Sequence, residues 1–223
     1  MALAAIGYAK AKLRRQIMIA TTSVGPGATN MVTAAGVAHS NRLPVLLLSG
    51  DTYNNRLPDP VLQQVEHFGE PSTTVNDSFR SVSRFWDRIT HPAQILSSLP
   101  QAVATMMDPA DCGPAFIGLP QDVQEIAYDY PVEFFNETTW RIPRSRPDLQ
   151  QVDEAVKILK TAKKPLIISG GGVRYSGAVE ALVKFSEDRM IPVAETIAGK
   201  GAFVHDHPFY LSLIHISEPT RLV

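Results

Sequence analysis

Residues 21–30 read Thr21-Thr22-Ser23-Val24-Gly25-Pro26-Gly27-Ala28-Thr29-Asn30 and predict a tight turn between a strand and a helix. The apolar run Ile17–Ala20 precedes the turn, and an alanine-rich segment follows it. Glycine tolerates unusual backbone angles and close approach, and proline restricts one backbone angle. In α/β proteins, such a turn brings backbone close to a ligand at the carboxyl end of a parallel strand. The segment therefore predicts an α/β fold with a ligand site beside Gly25–Gly27.

The residues around this turn continue the alternation of helices and strands. Apolar periodicity and turn residues predict, in chain order, helix Met1–Leu13, strand Ile17–Thr21, helix Ala28–Ser40, strand Pro44–Gly50, strand Ser81–Phe85, helix His91–Met107 and strand Pro114–Leu119. The connection Asp51–Pro71 has only a weak helical pattern, around Val61–Phe68. Because a connection this long inside a compact domain is usually functional, we expect it to contribute to the site.

A second α/β unit follows a proline-rich stretch, Pro120–Pro147, that predicts a surface linker. The predicted elements of this unit are helix Asp148–Ala162 with Asp148 as its N-cap, strand Pro165–Ser169, turn Gly170–Gly172, helix Ala178–Phe185 and strand Ile191–Glu195. We expect two domains, 1–130 and 148–210, joined by a linker over 131–147. Neither domain has the elements of a complete α/β unit.

Composition excludes several classes of protein. The chain has 223 residues and a formal net charge of -1, so it has no basic excess for binding nucleic acid. It contains no apolar run long enough to cross a bilayer and no secretory signal. The single cysteine, Cys112, excludes an internal disulfide and suits the cytoplasm, and we interpret it as a loop thiol. His205 and His207 lack a third ligand, so we predict no metal site.

Three segments together resemble a known enzyme superfamily. The pyrimidine-binding domain of thiamine diphosphate enzymes of the acetolactate synthase superfamily resembles three segments of this chain: Met1–Lys10, the turn Thr21–Asn30 and Asn41–Gly50. Ala194–Ala202 resembles the central domain of the same superfamily. The resemblance implies a partial pyrimidine-binding domain with a parallel sheet, followed by the start of a Rossmann-like central domain.

The connection after the second strand indicates the branch of the superfamily. Asp51–Phe68 and Ser83–Ile89 differ from the phenylalanine-glutamine-glutamate loop of acetolactate synthases. They resemble the trihydroxycyclohexane-dione hydrolases of myo-inositol catabolism, and the resemblance covers Met1–Tyr210. It implies a hydrolase that cleaves a C–C bond to open the ring of a cyclic polyol-dione. An acetolactate synthase-like carboligase or decarboxylase remains an alternative.

The same resemblance implies cofactors and site residues. Thiamine diphosphate and Mg²⁺ are the implied cofactors of the full-length enzyme. The residues nearest the pyrimidine half of the cofactor would be Ser23, Gly25, Pro26, Gly27 and Asn30. Helix capping is an equally good explanation for Thr29 and Asn30. The residues that could face a polyhydroxylated substrate are Gln63, Gln64 and His67, although solvated loop side chains are the simpler interpretation.

The resemblance also implies what lies outside this sequence. The catalytic glutamate of the family is expected before Met1, and the diphosphate and magnesium domain after the central domain. We therefore assign no catalytic and no metal-binding residue, and expect an inactive fragment of a homodimeric or homotetrameric enzyme. A non-catalytic module that binds a nucleotide at Gly170–Gly172 is a further alternative. Residues 211–223 resemble a translated sequencing adapter, and a natural short strand is the alternative there.

Overall fold

The computed structural model describes residues 1–58, 61–65 and 68–211. Contacts within the chain divide it into two compact units, residues 1–143 and 144–223. The first unit contains all three segments that resemble a pyrimidine-binding domain and the connection between its second and third strands.

The first unit alternates helices with parallel strands, as the sequence predicts. Its elements are α1 (Ala2–Ala11), β1 (Ile19–Thr22), α2 (Pro26–Asn41), β2 (Val45–Asp51), β3 (Phe85–Arg88), α3 (Ile95–Met107), β4 (Pro114–Pro120) and α4 (Gln121–Gln124). Three short 3-10 helices, Val75–Phe79, Pro92–Gln94 and Val132–Phe135, complete it. The four strands form one parallel sheet in the order β1-β2-β4-β3.

The sheet of the first unit is covered on both faces. Leu46, Ala115 and Ile117 point to the face on which α3 packs, where they form a buried cluster with Ala102 and Met106 of that helix. On the other face, Phe116 stacks on Phe79 with ring centroids 4.2 Å apart. A parallel sheet buried on both faces needs near-continuous apolar strands, and the sequences of β2 and β4 provide them.

Two predicted elements of the first unit have wrong bounds, and one weak helical pattern does not form a helix in its described residues. The third strand runs over Phe85–Arg88 and not Ser81–Phe85, because Val82 N–H closes a turn onto the Phe79 carbonyl. Helix α3 begins at Ile95, because His91 and Gln94 cap a separate 3-10 turn before it. The weak helical pattern around Val61–Phe68 forms turns in its described residues.

The proline-rich stretch after β4 contains more local structure than a linker. Helix α4 and the 3-10 helix Val132–Phe135 both lie within it. Tyr130 contacts the rings of Phe134 and Phe135, and its hydroxyl donates to the Pro92 carbonyl at 3.4 Å. Residues 131–143 therefore group with the first unit, and the division of the chain falls at residue 143.

Within residues 144–211, the second unit has three short parallel strands. Its elements are α5 (Leu149–Thr161), β5 (Ile167–Ser169), α6 (Gly171–Ser176), α7 (Val179–Arg189), β6 (Val193–Glu195) and β7 (Tyr210–Leu211), with strand order β5-β6-β7. The Asp148 carboxylate accepts the N–H groups of Gln150 and Gln151, which confirms the predicted N-cap. The predicted glycine turn is instead the start of α6, with only Gly170 outside the helix.

Candidate functional site

The turn between β1 and α2 has a backbone that requires glycine. Gly25 is the N-cap of α2 and has φ +71°, a region that other residues rarely adopt. Pro26 occupies the first helical position, where its missing N–H costs no hydrogen bond. Among the residues that the structure describes, no side chain caps the helix, and the Thr29 hydroxyl donates to the Pro26 carbonyl at 2.9 Å. The helix-capping explanation of Thr29 and Asn30 is therefore wrong.

Close packing explains both glycines of the turn. A Cβ atom on Gly27 would lie 2.6 Å from the Thr22 hydroxyl oxygen and 2.7 Å from the Ser23 hydroxyl oxygen. A Cβ atom on Gly25 would lie 1.6 Å from the Gln63 carbonyl oxygen. The turn thus contacts two hydroxyl groups of its own strand end and the backbone of the connection after β2.

Two neighbouring clefts open at the carboxyl end of β1. The first, of about 300 Å³, is lined by Met1, Ala2, Ala20, Thr21, Thr22, Pro26, Gly27, Asn30 and Met31. The second, of about 250 Å³, is lined by Thr21, Thr22, Ser23, Val24, Ser49, Gly50, Leu119, Gln121 and Gln124. The turn residues proposed from sequence are divided between them: Pro26, Gly27 and Asn30 line the first cleft and Ser23 lines the second. Gly25 is buried under Gln63.

The predicted substrate residues lie close to the predicted cofactor turn. Gln63 has φ +66° and places its carbonyl directly on Gly25. The Nε2 atom of Gln64 is buried and, within the described residues, has no hydrogen-bond partner. A buried amide donor without an acceptor is costly, and this unmet hydrogen bond lies beside the turn at Gly25. His67 lies outside the described residues.

The end of β2 forms one wall of the second cleft. A Cβ atom on Gly50 would lie 3.0 Å from the Val24 nitrogen, so the strand end and the turn are in close contact. The Gly50 carbonyl accepts hydrogen bonds from Asn76 Nδ2 at 2.9 Å and from the Ser49 hydroxyl at 2.8 Å. Asn76 is fully buried, and it belongs to a 3-10 helix that the sequence analysis did not predict.

A partly buried ion-pair network, with Asp51 fully buried, lies behind this wall. Arg88 Nε donates to Asp51 Oδ2 at 2.7 Å, and its Nη2 donates to Asp77 Oδ2 at 2.7 Å. Nη2 also donates to the Thr74 hydroxyl at 2.7 Å, within the capping box that Thr74 and Asp77 form. Arg80 binds the other oxygen of Asp77 at 2.8 Å. The network ties the end of β2 and the end of β3 to the same 3-10 helix.

Burial and charge act in opposite directions on this network. Burial acts to raise the pKa of Asp77, but the backbone N–H of Thr74 and the side chains of Arg80 and Arg88 outweigh it and lower the pKa to about 2. Burial likewise acts to lower the pKa of Arg88, and hydrogen bonds to Asp51 and Asp77 raise it. Both groups are therefore charged at neutral pH. Sequence reasoning missed them because their partners come together only in the folded sheet.

Helix α4 forms the opposite wall of the second cleft. Gln124 Nε2 donates to the Leu119 carbonyl at 2.7 Å, which holds that side chain over the end of β4. The two oxygens of Asp122 accept the N–H groups of Asn54 at 2.8 Å and Asn55 at 2.9 Å. The chain leaving β2 is thereby attached to the helix that follows β4.

Within residues 1–58, 61–65 and 68–211, no group of three or more His, Cys, Asp or Glu side chains is arranged to hold a metal ion. In the same part of the chain, no helix combines the length and apolar character needed to span a bilayer.

Comparison with family models identifies both units. Residues 1–69 match the model described as thiamine pyrophosphate enzyme, N-terminal TPP binding domain, and residues 152–221 match the central domain of the same enzymes. The chain belongs to the thiamine pyrophosphate enzymes. A thiamin diphosphate-dependent enzyme from Mycobacterium smegmatis has the same fold, with a TM-score of 0.70 and 20% identity over 95% of this chain and 39% of its own.

Curated relatives are more similar in sequence. A protein of Geobacillus thermodenitrificans named 3D-(3,5/4)-trihydroxycyclohexane-1,2-dione hydrolase is 52% identical over 217 residues, which are 97% of this chain and 34% of the relative. Proteins of the same name from Clostridium tetani and Bacillus cereus are 52% and 48% identical, over 91% and 97% of this chain and 31% and 34% of theirs. The chain thus spans about a third of the length of these relatives.

Proposed function

We propose that this chain is part of a thiamine diphosphate-dependent hydrolase that opens the ring of trihydroxycyclohexane-1,2-dione. The observation that carries the proposal is the 52% identity to a hydrolase of that name over nearly the whole chain, connection after β2 included. That connection lies on the turn at Gly25, where a substrate-binding segment would be needed.

The residues at the carboxyl end of β1 fit the pyrimidine half of the cofactor. Gly27 packs closely against the Thr22 and Ser23 hydroxyls, and the exposed side-chain amide of Asn30 lines the same cleft as Thr22 and Gly27. A flat ring with hydrogen-bonding edges can pack against these residues. When bound, thiamine diphosphate supplies the electron sink that cleavage next to a carbonyl requires.

The substrate side of the proposed site is built from amides. Gln64 has a buried Nε2 that can donate to a carbonyl or hydroxyl oxygen of a polyol-dione. Gln121 adds an amide on the α4 wall of the second cleft. Neutral amides orient a neutral polyhydroxylated ring without requiring a counter-charge in the substrate.

Other parts of the proposed enzyme lie outside the residues described here. We propose that the carboxylate that activates the cofactor and the Mg²⁺ site for its diphosphate belong to the remaining length of the protein. We also propose a homodimer or homotetramer in the cytoplasm, with the active site between subunits, and no nucleic-acid or membrane partner.

A substrate comparison with the full-length protein tests the proposal. The protein is offered the cyclic dione and, separately, pyruvate, with thiamine diphosphate and Mg²⁺ in both reactions. The expected result is ring opening of the dione without acetolactate. Acetolactate formation without dione hydrolysis would support the carboligase alternative and overturn the proposal.

A further inference from the structure

Asp122 occupies an unusual position between two strand ends. It is the second residue of α4, and its carboxylate accepts two consecutive backbone N–H groups, those of Asn54 and Asn55, 67 to 68 residues earlier in the chain. Hydrogen bonds from backbone N–H groups to an ionised carboxylate are stronger than those between neutral groups. One side chain therefore joins the chain leaving β2 to the helix that follows β4.

Among residues 1–58, 61–65 and 68–211, the other hydrogen bonds of the segment that Asp122 holds are internal to it. Residues 54–58 are exposed, and within this turn Arg56 N–H donates to the Tyr53 carbonyl at 3.2 Å and Leu57 N–H to Asn55 Oδ1 at 2.9 Å. These bonds organise the turn internally, but they do not attach it to the sheet. The bonds to Asp122 provide that attachment.

The attachment lies beside the second cleft. Gly50, four residues before Asn54, lines this cleft, and so do Gln121 and Gln124 of α4. Because β2 and β4 are paired up to Asp51 and Pro120, the sheet itself sets the spacing of the two strand ends. Asp122 fixes the chain that follows the paired end of β2.

We propose that Asp122 is a positioning residue that holds the chain leaving β2 against α4 and so orients the connection that carries the proposed substrate residues. The inference rests on the proposed function for the identity of the substrate. Asp122 acts on the substrate only through the turn at residues 53–57 and the connection that follows it.

The first test measures the attachment directly, by hydrogen exchange of the full-length protein. In the Asp122→Ala variant, the amides of Asn54 and Asn55 lose their acceptors and should exchange at least roughly tenfold faster. Asp122→Asn keeps one acceptor oxygen and should give an intermediate rate. Glu125→Ala removes an acidic residue next to the same helix and serves as the control, in which the exchange rates of Asn54 and Asn55 should not change. Unchanged exchange in Asp122→Ala would overturn the inference, and this arm requires no enzymatic activity.

The second test separates positioning from a general loss of stability. With the cyclic dione as substrate, Asp122→Ala should raise KM about tenfold, equivalent to about 1.4 kcal/mol, while kcat and the melting temperature stay close to wild type. Should the wild-type protein use pyruvate instead, the proposed function fails and the same KM comparison is made with pyruvate. An equal fall in kcat and in melting temperature with no rise in KM would indicate a structural role and overturn the inference.

Discussion

The two units of the chain use the same alternation of helices and strands, but they bury their side chains to different degrees. In the first unit, Leu47, Phe116 and Ile117 are fully buried, and helices cover both faces of the sheet. In the second unit, the strands have two or three residues, and α5 has no buried residue. Stability in the first unit therefore depends on packing and on buried ion pairs, whereas much of the apolar surface of the second is exposed.

Removing a large side chain from the first unit should have the largest effect. Phe116→Ala deletes a ring that stacks on Phe79 and Trp86, and we expect a loss of roughly 3–5 kcal/mol in the free energy of unfolding. Urea denaturation followed by tryptophan fluorescence measures it. Ile168→Ala in β5, a residue that is 60% exposed, is the matched change in the second unit and should cost far less. Similar losses for the two variants would contradict the comparison.

Breaking the ion-pair network should have the second-largest effect on the free energy of unfolding. Arg88→Met leaves the fully buried Asp51 carboxylate without its cationic partner, and we expect a loss of about 3 kcal/mol. Arg80→Met removes a mostly exposed arginine that also binds Asp77 and should cost about 1 kcal/mol or less. Denaturant unfolding of both variants provides the test. If both variants lose equally little stability, the burial of Asp51 does not increase the contribution of its ion pair to the free energy of unfolding.

The pH dependence of the same network should be smaller and confined to acid. The folded pKa of Asp77 is lowered to about 2 from an ordinary value near 4, so its contribution is fully present above about pH 4 and is lost as the pH falls towards 2. Asp77→Asn removes the titrating group. The fall in stability between about pH 4 and pH 2 should therefore be shallower in the variant, and parallel curves for variant and wild type would count against this assignment.

Substitutions on α5 should change stability least. Val152, Val156 and Leu159 lie on one side of this helix and are each about 40% exposed. Replacing each by Gln should change the free energy of unfolding by less than about 0.5 kcal/mol. Because an exposed apolar stripe promotes association, the triple variant should aggregate less in static light scattering. A large loss of stability would mean that this side of α5 is packed in solution.

Periodicity and turn residues predicted most elements because these signals are local. Helix α1, the turn at Gly25 and the capping of α5 by Asp148 follow from residues close together in the chain. The wrong bounds occur where contacts between residues distant in the sequence, or a local capping box, decide where an element begins. Strand β3 begins at Phe85 because its partner is β4, and the start of α3 depends on a capping box at His91.

For the candidate site, the sequence by itself determined the turn chemistry and the family. The turn chemistry follows from glycine at 25 and 27, proline at 26 and the apolar strand before them. Only the tertiary structure brought Gln63 onto Gly25, Arg88 onto Asp51 and Asp122 onto the amides of Asn54 and Asn55. The physical reason is that backbone conformation depends mainly on residues that are neighbours in the sequence. A buried charge or an unpaired backbone N–H instead requires a hydrogen-bond partner, and here that partner lies far away in the sequence.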